Sequence, residues 1–490
     1  MPPLSSRDSS RRAVSEVGAP ARRIYGIETE YGITCASTVG GVPPLDADRA
    51  ARLLFEPVVA RFRTSNAFTR GGARLYLDVG SHPEYATAEC DRLTDLLAQD
   101  RAGEITMADL AARANARLAA RDVPGRIHLF KNNSDAAGAG FGCHENYLVH
   151  RRADFWNDAR TLVPHLVTRQ ILVGAGHVLP GADGAPARYV FSQRADQMED
   201  AVSSATTRSR PLINTRDEPH ADADLYRRMH VIVGDSNIAQ GSTLLKVGAM
   251  DLLLDYLEEG GGLADLRLAR PMKAIRDTCH DLTGAAVLEL ADGRTMTPVD
   301  LQTEHLARVS EHVRNLDLTE LHRQVLDLWE RGLDAVRSGR PQDVATDLDW
   351  AAKHQLLTRY AERVGAELDD PRLSRLALAY HDVSPRDGLR LRMERAGLLR
   401  RLVDEKTCRA AVGTPPATTR AHLRGAAVGR AQDLRRDLSA DWVNLRLDDD
   451  RSRPVALRDP FSAVDERVDT LMEAMEASTG SPTLDLPAGV

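Results

Sequence analysis

Arg70-Gly-Gly-Ala-Arg-Leu-Tyr-Leu-Asp-Val-Gly-Ser-His-Pro-Glu-Tyr-Ala-Thr-Ala-Glu-Cys90 is the stretch whose reading decides the fold. Arg74, Tyr76 and Asp78 fall on one side of an extended chain, and Leu75, Leu77 and Val79 on the other. Alternation with period two predicts a strand with one apolar and one polar face. The polar face carries a guanidinium, a phenol and a carboxylate, a costly set unless it lines a site. At a rise of ~3.3 Å per residue, Arg74 and Asp78 lie roughly 13 Å apart and cannot pair with each other. Past Gly80, which permits a turn, Pro83 forces an extended approach, and Glu84, Thr87 and Glu89 add oxygen ligands. Taken alone, the stretch fits a half-exposed sheet with solvated charges equally well.

Upstream, Arg23-Ile-Tyr-Gly-Ile-Glu-Thr-Glu-Tyr-Gly-Ile33 reads as a second strand. Ile27, Thr29 and Tyr31 alternate with Glu28 and Glu30. Two carboxylates on one strand face repel each other unless a cation sits between or beside them. The competing reading is an edge strand whose charges discourage aggregation. Gly26 and Gly32, which flank the acids, favour close backbone approach instead.

Further out, residues 47–63 and 91–121 have helical periodicity, and Arg126 to Phe130 reads as a strand. Lys131 to Gly140 is a glycine-rich turn without the GxxxxGK[ST] spacing of a P-loop. Cys143 to Val149 is the next strand, with His144 and Asn146 on one face. Ser203 to Asp222 places Arg208, Arg210 and Arg216 among hydroxyls, a composition that suits phosphate or carboxylate recognition. Ion pairing with Asp217, Glu218, Asp222 and Asp224 is the competing reading for any single arginine. Arg227 and Arg228 then lead into a strand from His230. Residues 243–396 are mainly helical; Leu321, Val325, Leu328, Trp329, Leu333 and Val336 form a buried stripe there. An Asp-Gly turn at 292–293 links two short strands. After Thr414-Pro-Pro-Ala-Thr418 come a helix through 420–436 and a strand at 441–447.

The expected organisation is a tail over 1–21, a main domain over 22–396, a small C-terminal domain over 397–476 and a second tail over 477–490. The 490 residues carry a net charge of −7, with acids and arginines interspersed, which argues against bulk nucleic-acid binding. Five widely spaced cysteines and no CxxC pair argue against a disulfide framework or zinc site and for a reducing cytoplasm. No apolar run is long enough to span a bilayer, and the first residues lack a signal-peptide core.

Acids on two strands, an arginine- and hydroxyl-rich segment and no Walker motif point to Mg²⁺-ATP held on an open sheet. Magnesium takes about six oxygen ligands, few of them from protein, so two or three of Glu28, Glu30, Glu84 and Glu89 suffice. A carboxylate apart from them, such as Asp78, is free to accept a proton. These parts fit phosphorylation of a carboxylate followed by attack of an amine, and they fit a phosphatase or an ATP-binding module too.

Four segments carry a resemblance: Gly26 to Gly32, Asn66 to Asp91, Gly142-Cys-His-Glu-Asn-Tyr147 and Ser203 to Asp222. It continues through Ala379-Tyr-His-Asp382, Thr418 to Gly425, Asp441-Trp-Val443 and Asp459 to Arg467. Over about residues 22 to 475 the chain closely resembles the Pup–protein ligases. This family implies an α+β, glutamine-synthetase-like carboxylate–amine ligase fold, with an open, largely antiparallel sheet flanked by helices. It implies that ATP phosphorylates the γ-carboxylate of the C-terminal glutamate of Pup, a prokaryotic ubiquitin-like modifier. The lysine of a target protein then attacks to form an isopeptide bond, which marks the target for proteasomal degradation. The family pattern makes Glu28, Tyr76 and Glu84 magnesium ligands, Arg74, Thr87 and Trp442 nucleotide contacts, and Asp78 the proton acceptor. From the residues alone, Tyr76 reads as a stacking side chain and Trp442 as core.

The sister hydrolase of the same fold, the Pup deamidase/depupylase, is the alternative. Its pattern has an extra loop soon after the first acidic strand; here only twenty residues separate Ile33 from Leu53. An inactive ATP-binding scaffold would require the loss of a site residue, and none is missing.

Overall fold

The computed structural model describes residues 18–477, apart from 78–79, 136–137, 139, 182–184, 205–209, 386–387 and 449–452. The strand and helix elements run in the order β1 (Tyr25–Glu30), β2 (Gly32–Ser37), α1 (Ala47–Phe62), β3 (Asn66–Phe68), β4 (Arg74–Leu77), β5 (Pro83–Ala86), α2 (Leu93–Ala120), β6 (Gly125–Phe130) and β7 (Cys143–His150). After three short helices follow β8 (His177–Leu179), β9 (Arg188–Val190), β10 (Asp200–Ser203), β11 (Pro211–Asn214) and β12 (Tyr226–Val231). Eight strands form one open sheet in the order β10-β11-β12-β7-β1-β5-β4-β3. Every pairing in it is antiparallel except β10 with β11. The expected α+β architecture, an open and largely antiparallel sheet flanked by helices, is the one observed.

β1 alternates buried and half-buried residues along its whole length, as its sequence requires. Its place differs from the edge-strand reading: it lies between β7 and β5, near the middle of the sheet. The run 23–33 is also two strands rather than one. Beyond Glu30 the chain leaves the large sheet, and β2 pairs with β6 in a separate ribbon. A local pattern of alternation reports which face is buried, but not which partner the backbone takes.

The apolar face of the sheet packs on helices. Tyr85 of β5 lies on Gly103 of α2 so closely that a Cβ there would meet its ring at 2.6 Å. Ile27, Tyr147, Met229 and Val231 join a core with the helices Gln240–Glu258 and Glu320–Arg337. In the latter helix Val325, Leu328, Trp329, Leu333 and Val336 are buried, so the stripe read from the sequence is core. Each such side chain contributes about 1.5–3 kcal/mol by leaving water. The Asp-Gly turn joins Leu288–Glu289 to Thr295–Met296, also as expected.

The C-terminal segment gathers its own cluster, including Leu423, Leu445, Leu447, Val468 and Met475. The helix there spans Ala421–Asp433 and the strand Asn444–Leu447, so Trp442 sits in the bend before the strand. Polar contacts tie this segment to the rest: Arg70 with Asp433 at 2.7 Å and Arg63 with Asp437 at 3.1 Å. Among the described residues, no helix is long and apolar enough to cross a membrane.

Candidate active site

The pairing register sorts the polar face of the sheet into rows. Arg74, Ala86, Glu28 and His144 are successive partners across β4, β5, β1 and β7. The next row holds Tyr76, Glu84 and Glu30. On the other side, Gly26, Asn146 and His230 form a third row across β1, β7 and β12. Directly opposed residues share a face, so the acids of both strands point into one cleft of about 530 Å³. Glu28, Glu84, Tyr76, Arg74, Thr87 and Trp442 all line it. Six of the seven residues expected at the site therefore meet. The seventh, Asp78, follows the last described residue of β4 and lies outside the described residues, as does Arg208.

Glu28 and Glu84 are diagonal neighbours on paired strands, roughly 7 Å apart at the backbone, near enough to share one ion. The Tyr76 hydroxyl donates to Glu28 Oε1. Burial raises the Tyr76 phenol far above its ordinary range, and the Glu28 and Glu84 carboxylates beside it raise it further. It is therefore a neutral donor that holds carboxylates, and a weak ligand in its own right. Its ring also lies under the Arg74 guanidinium, 4.4 Å from the ring centre, so the stacking role read from the residue holds too. Arg74 Nε donates to Asn66 Oδ1 at 2.7 Å, which fixes the guanidinium at the cleft edge.

Burial alone would raise the Glu28 carboxyl. The His144 hydrogen bond at 3.3 Å, the proximity of the His144 and His230 rings and the Tyr76 hydroxyl outweigh it, and hold the group well below the usual carboxylate range. One ligand atom each from Glu28, His144 and His230 lies within 4.8 Å of the others. Both ring nitrogens of His230 are buried and make no hydrogen bond among the described residues, though Nε2 stands 3.9 Å from Glu28 Oε2. Glu30 approaches His144 Nε2 at 3.8 Å. This close fit depends on Gly142, where a Cβ would meet His144 Nε2 at 2.3 Å and Glu30 Oε1 at 2.7 Å. Converging carboxylates and orphaned ring nitrogens are a donor set that fits a divalent cation.

Glu89 corrects the list of oxygen ligands drawn from the sequence. Its carboxylate accepts from Arg420 Nε at 2.8 Å and from Arg424 Nη1 at 3.0 Å, so it is already spent on two cations. Thr87 Oγ1 accepts from Ile27 N at 3.0 Å, which leaves its O–H to offer a ligand. Trp442 is half-buried, with its ring edge-on to Phe68 at 4.9 Å, and closes one end of the cleft rather than filling the core. Ion pairing does hold for Arg227 with Asp217 at 3.3 Å and Arg228 with Glu218 at 3.4 Å. Sequence reasoning missed Asn214, His220 and Arg420 in the cleft lining. β11 reads Pro-Leu-Ile-Asn and is buried throughout, so no alternation marked Asn214; the three residues carried a signal only by lying in the segments 203–222 and 418–425 of the resemblance.

A family model described as Pup-ligase protein matches residues 23–446. The chain belongs to the Pup-ligase family. It is 54% identical to the Pup–protein ligase of Sanguibacter keddieii over 455 residues, 93% of this chain and 99% of that one. It is also 54% identical to the Pup–protein ligase of Xylanimonas cellulosilytica over 459 residues, 93% of this chain and 100% of that one. Among solved structures, it is similar to that of the ligase PafA in complex with the prokaryotic ubiquitin-like protein Pup. The TM-score is 0.89 and the identity 42%, over 94% of this chain and 92% of that one. The Pup ligase PafA in complex with ADP is matched with a TM-score of 0.80 and 43% identity, over 89% of this chain and 95% of that one.

Proposed function

We propose that this chain is an ATP-dependent ligase that joins the C-terminal glutamate of Pup to lysines of target proteins. The observation that carries the reading is the convergence of Glu28, Glu84, Tyr76, Arg74, Thr87 and Trp442 on one cleft of an open sheet. In the reaction, an oxygen of the glutamate γ-carboxylate attacks the terminal phosphorus of ATP and ADP leaves. The lysine amine then attacks the acyl carbon, and phosphate departs with that oxygen.

Arg74, Thr87 and Trp442 hold the nucleotide at the β4 end of the cleft, the arginine by its paired donors and the indole by its face. Glu28 and Glu84 would hold Mg²⁺, with the Tyr76 hydroxyl fixing the Glu28 carboxylate, and the ion would supply charge neutralisation at the phosphates. Asp78 takes the proton from the incoming lysine ammonium, a role that rests on the resemblance and on its place one residue past β4. The chain divides into a main domain over 22–396 and a smaller one over 397–476 that supplies Trp442. The five cysteines, all free and buried, support a cytoplasmic site of action.

Incubation with ATP, Mg²⁺, glutamate-ended Pup and a lysine-bearing protein tests this by mass spectrometry. The expected result is a gain on the target equal to Pup less one water. Absence of any ATP-dependent gain, with release of Pup from a preformed conjugate, would make the chain the sister hydrolase.

A further inference from the structure

Beneath the nucleotide end of the cleft lies a buried group of three charges. Glu89 sits just past β5, while Arg420 and Arg424 sit at the start of and within the helix Ala421–Asp433. Arg424 is fully buried. Its Nη2 donates to the Glu89 carboxylate and, at 3.1 Å, to the Gly72 carbonyl. Its Nη1 donates to Glu89 Oε1 and, at 3.2 Å, to the Trp442 carbonyl. The guanidinium carbon also stands 4.7 Å from the centre of the Phe68 ring and 5.0 Å from that of Trp442. One planar fork thus holds Trp442 by backbone and by ring, and ties it to the large sheet through Phe68 and Gly72. The bend at Trp442 is set from its other side by Asp441, whose carboxylate accepts from Val443 N and Asn444 N, both at 2.7 Å.

Three charges taken out of water are a costly way to glue two surfaces, since well-packed apolar residues stabilise as much or more. What charges add is direction. A guanidinium directs its donors to a carboxylate and two carbonyls from one rigid plane while its carbon stands against two rings, which an ammonium cannot do. Arg424 does not line the cleft, so its effect on a ligand passes through the lining residues it holds, Trp442 and Glu89.

We propose that Arg424, oriented by Glu89, is a positioning residue that fixes Trp442 as the wall of the nucleotide site, so that their ion pair sets nucleotide affinity rather than the rate of the chemical step. The proposal rests on the reading of Trp442 as a nucleotide contact.

The test is a double-mutant cycle in the full chain with Arg424→Lys and Trp442→Ala, measuring KM for ATP, kcat at saturating ATP, and Kd for ADP. Arg424→Lys is expected to raise KM and Kd about tenfold, the effect of one well-placed charged hydrogen bond, with kcat within about twofold of wild type. In the double variant the two changes should not add, because both remove the same wall. A lowered melting temperature with unchanged KM for Arg424→Lys, or additive losses in the double variant, would overturn the positioning role while leaving Trp442 at the nucleotide. Unchanged ADP affinity in Trp442→Ala would overturn the underlying reading instead. Should Arg424→Lys not fold, the cycle is run with Glu89→Gln, which keeps the side chain's shape and removes the charge that orients Arg424; additivity with Trp442→Ala there overturns the proposal equally.

Discussion

The Tyr76 hydroxyl donates to the Glu28 carboxylate across β5, the strand that separates theirs. The phenol is neutral, so its service to a cation is to keep two carboxylates apart and aimed. Tyr76→Phe removes the donor and leaves a buried carboxylate short of a partner, a loss of about 1–3 kcal/mol. The Mg²⁺ concentration for half-maximal ATP turnover should rise roughly tenfold, and nucleotide-free melting should fall by a few degrees. Wild-type Mg²⁺ dependence in this variant would take the hydroxyl out of the metal site.

Glu28→Ala and Glu84→Ala should each lose ATP turnover, and excess Mg²⁺ should restore it only in part, because one carboxylate still faces the cleft. Titration of turnover against Mg²⁺ checks this. Either variant turning over fully at ordinary Mg²⁺ removes that residue from the site.

Asp78→Asn keeps the shape of the side chain and loses the base. ADP binding by calorimetry should be unchanged, while conjugation to lysine should fall by the factor of about 10²–10⁴ that proton transfer supplies. Normal conjugation by Asp78→Asn would refute its role.

Lys353 is buried, with Nζ donating to the Gly176 carbonyl at 2.6 Å and to His381 Nε2 at 2.5 Å. The His381 ring can accept because its Nδ1 donates to the Lys131 carbonyl at 2.8 Å. Burial pulls the amine down to about 7, against the opposing pull of Asp349 and Asp235. A base with a depressed folded value binds fewer protons in the native state than when unfolded. Stability therefore rises with pH between about 7 and the ordinary lysine value of about 10.4. Lys353→Met should flatten that rise in melting temperature across the window; an unchanged slope would assign it to other groups.

The alternation of Glu28 and Glu30 with Ile27 and Thr29, and of Arg74 and Tyr76 with Leu75, was legible because burial on one side of a sheet imposes period two. The helix at 320–337 was legible for the corresponding reason at period 3.6. Strand partners were not. The charges of β1 left an edge strand open as the competing reading, and only the non-local pairing with β7 and β5 shows the strand to be central. Glu89 reads as a free ligand because the arginines that occupy it lie 331 and 335 residues further on. His230 reaches Glu28 only through the register of three strands, which no spacing in the sequence encodes. The metal and nucleotide roles came from the resemblance, since acids and arginines alone left a phosphatase and a binding module open.

The central claim is that a carboxylate is activated as an acyl phosphate and then taken by lysine. It is tested most directly with Pup whose terminal γ-carboxylate carries ¹⁸O. During conjugation in the presence of ATP and Mg²⁺, each phosphate released should carry one labelled oxygen, and the isopeptide should retain the other. Phosphate free of label, with conjugate formed at the same rate, would contradict the account.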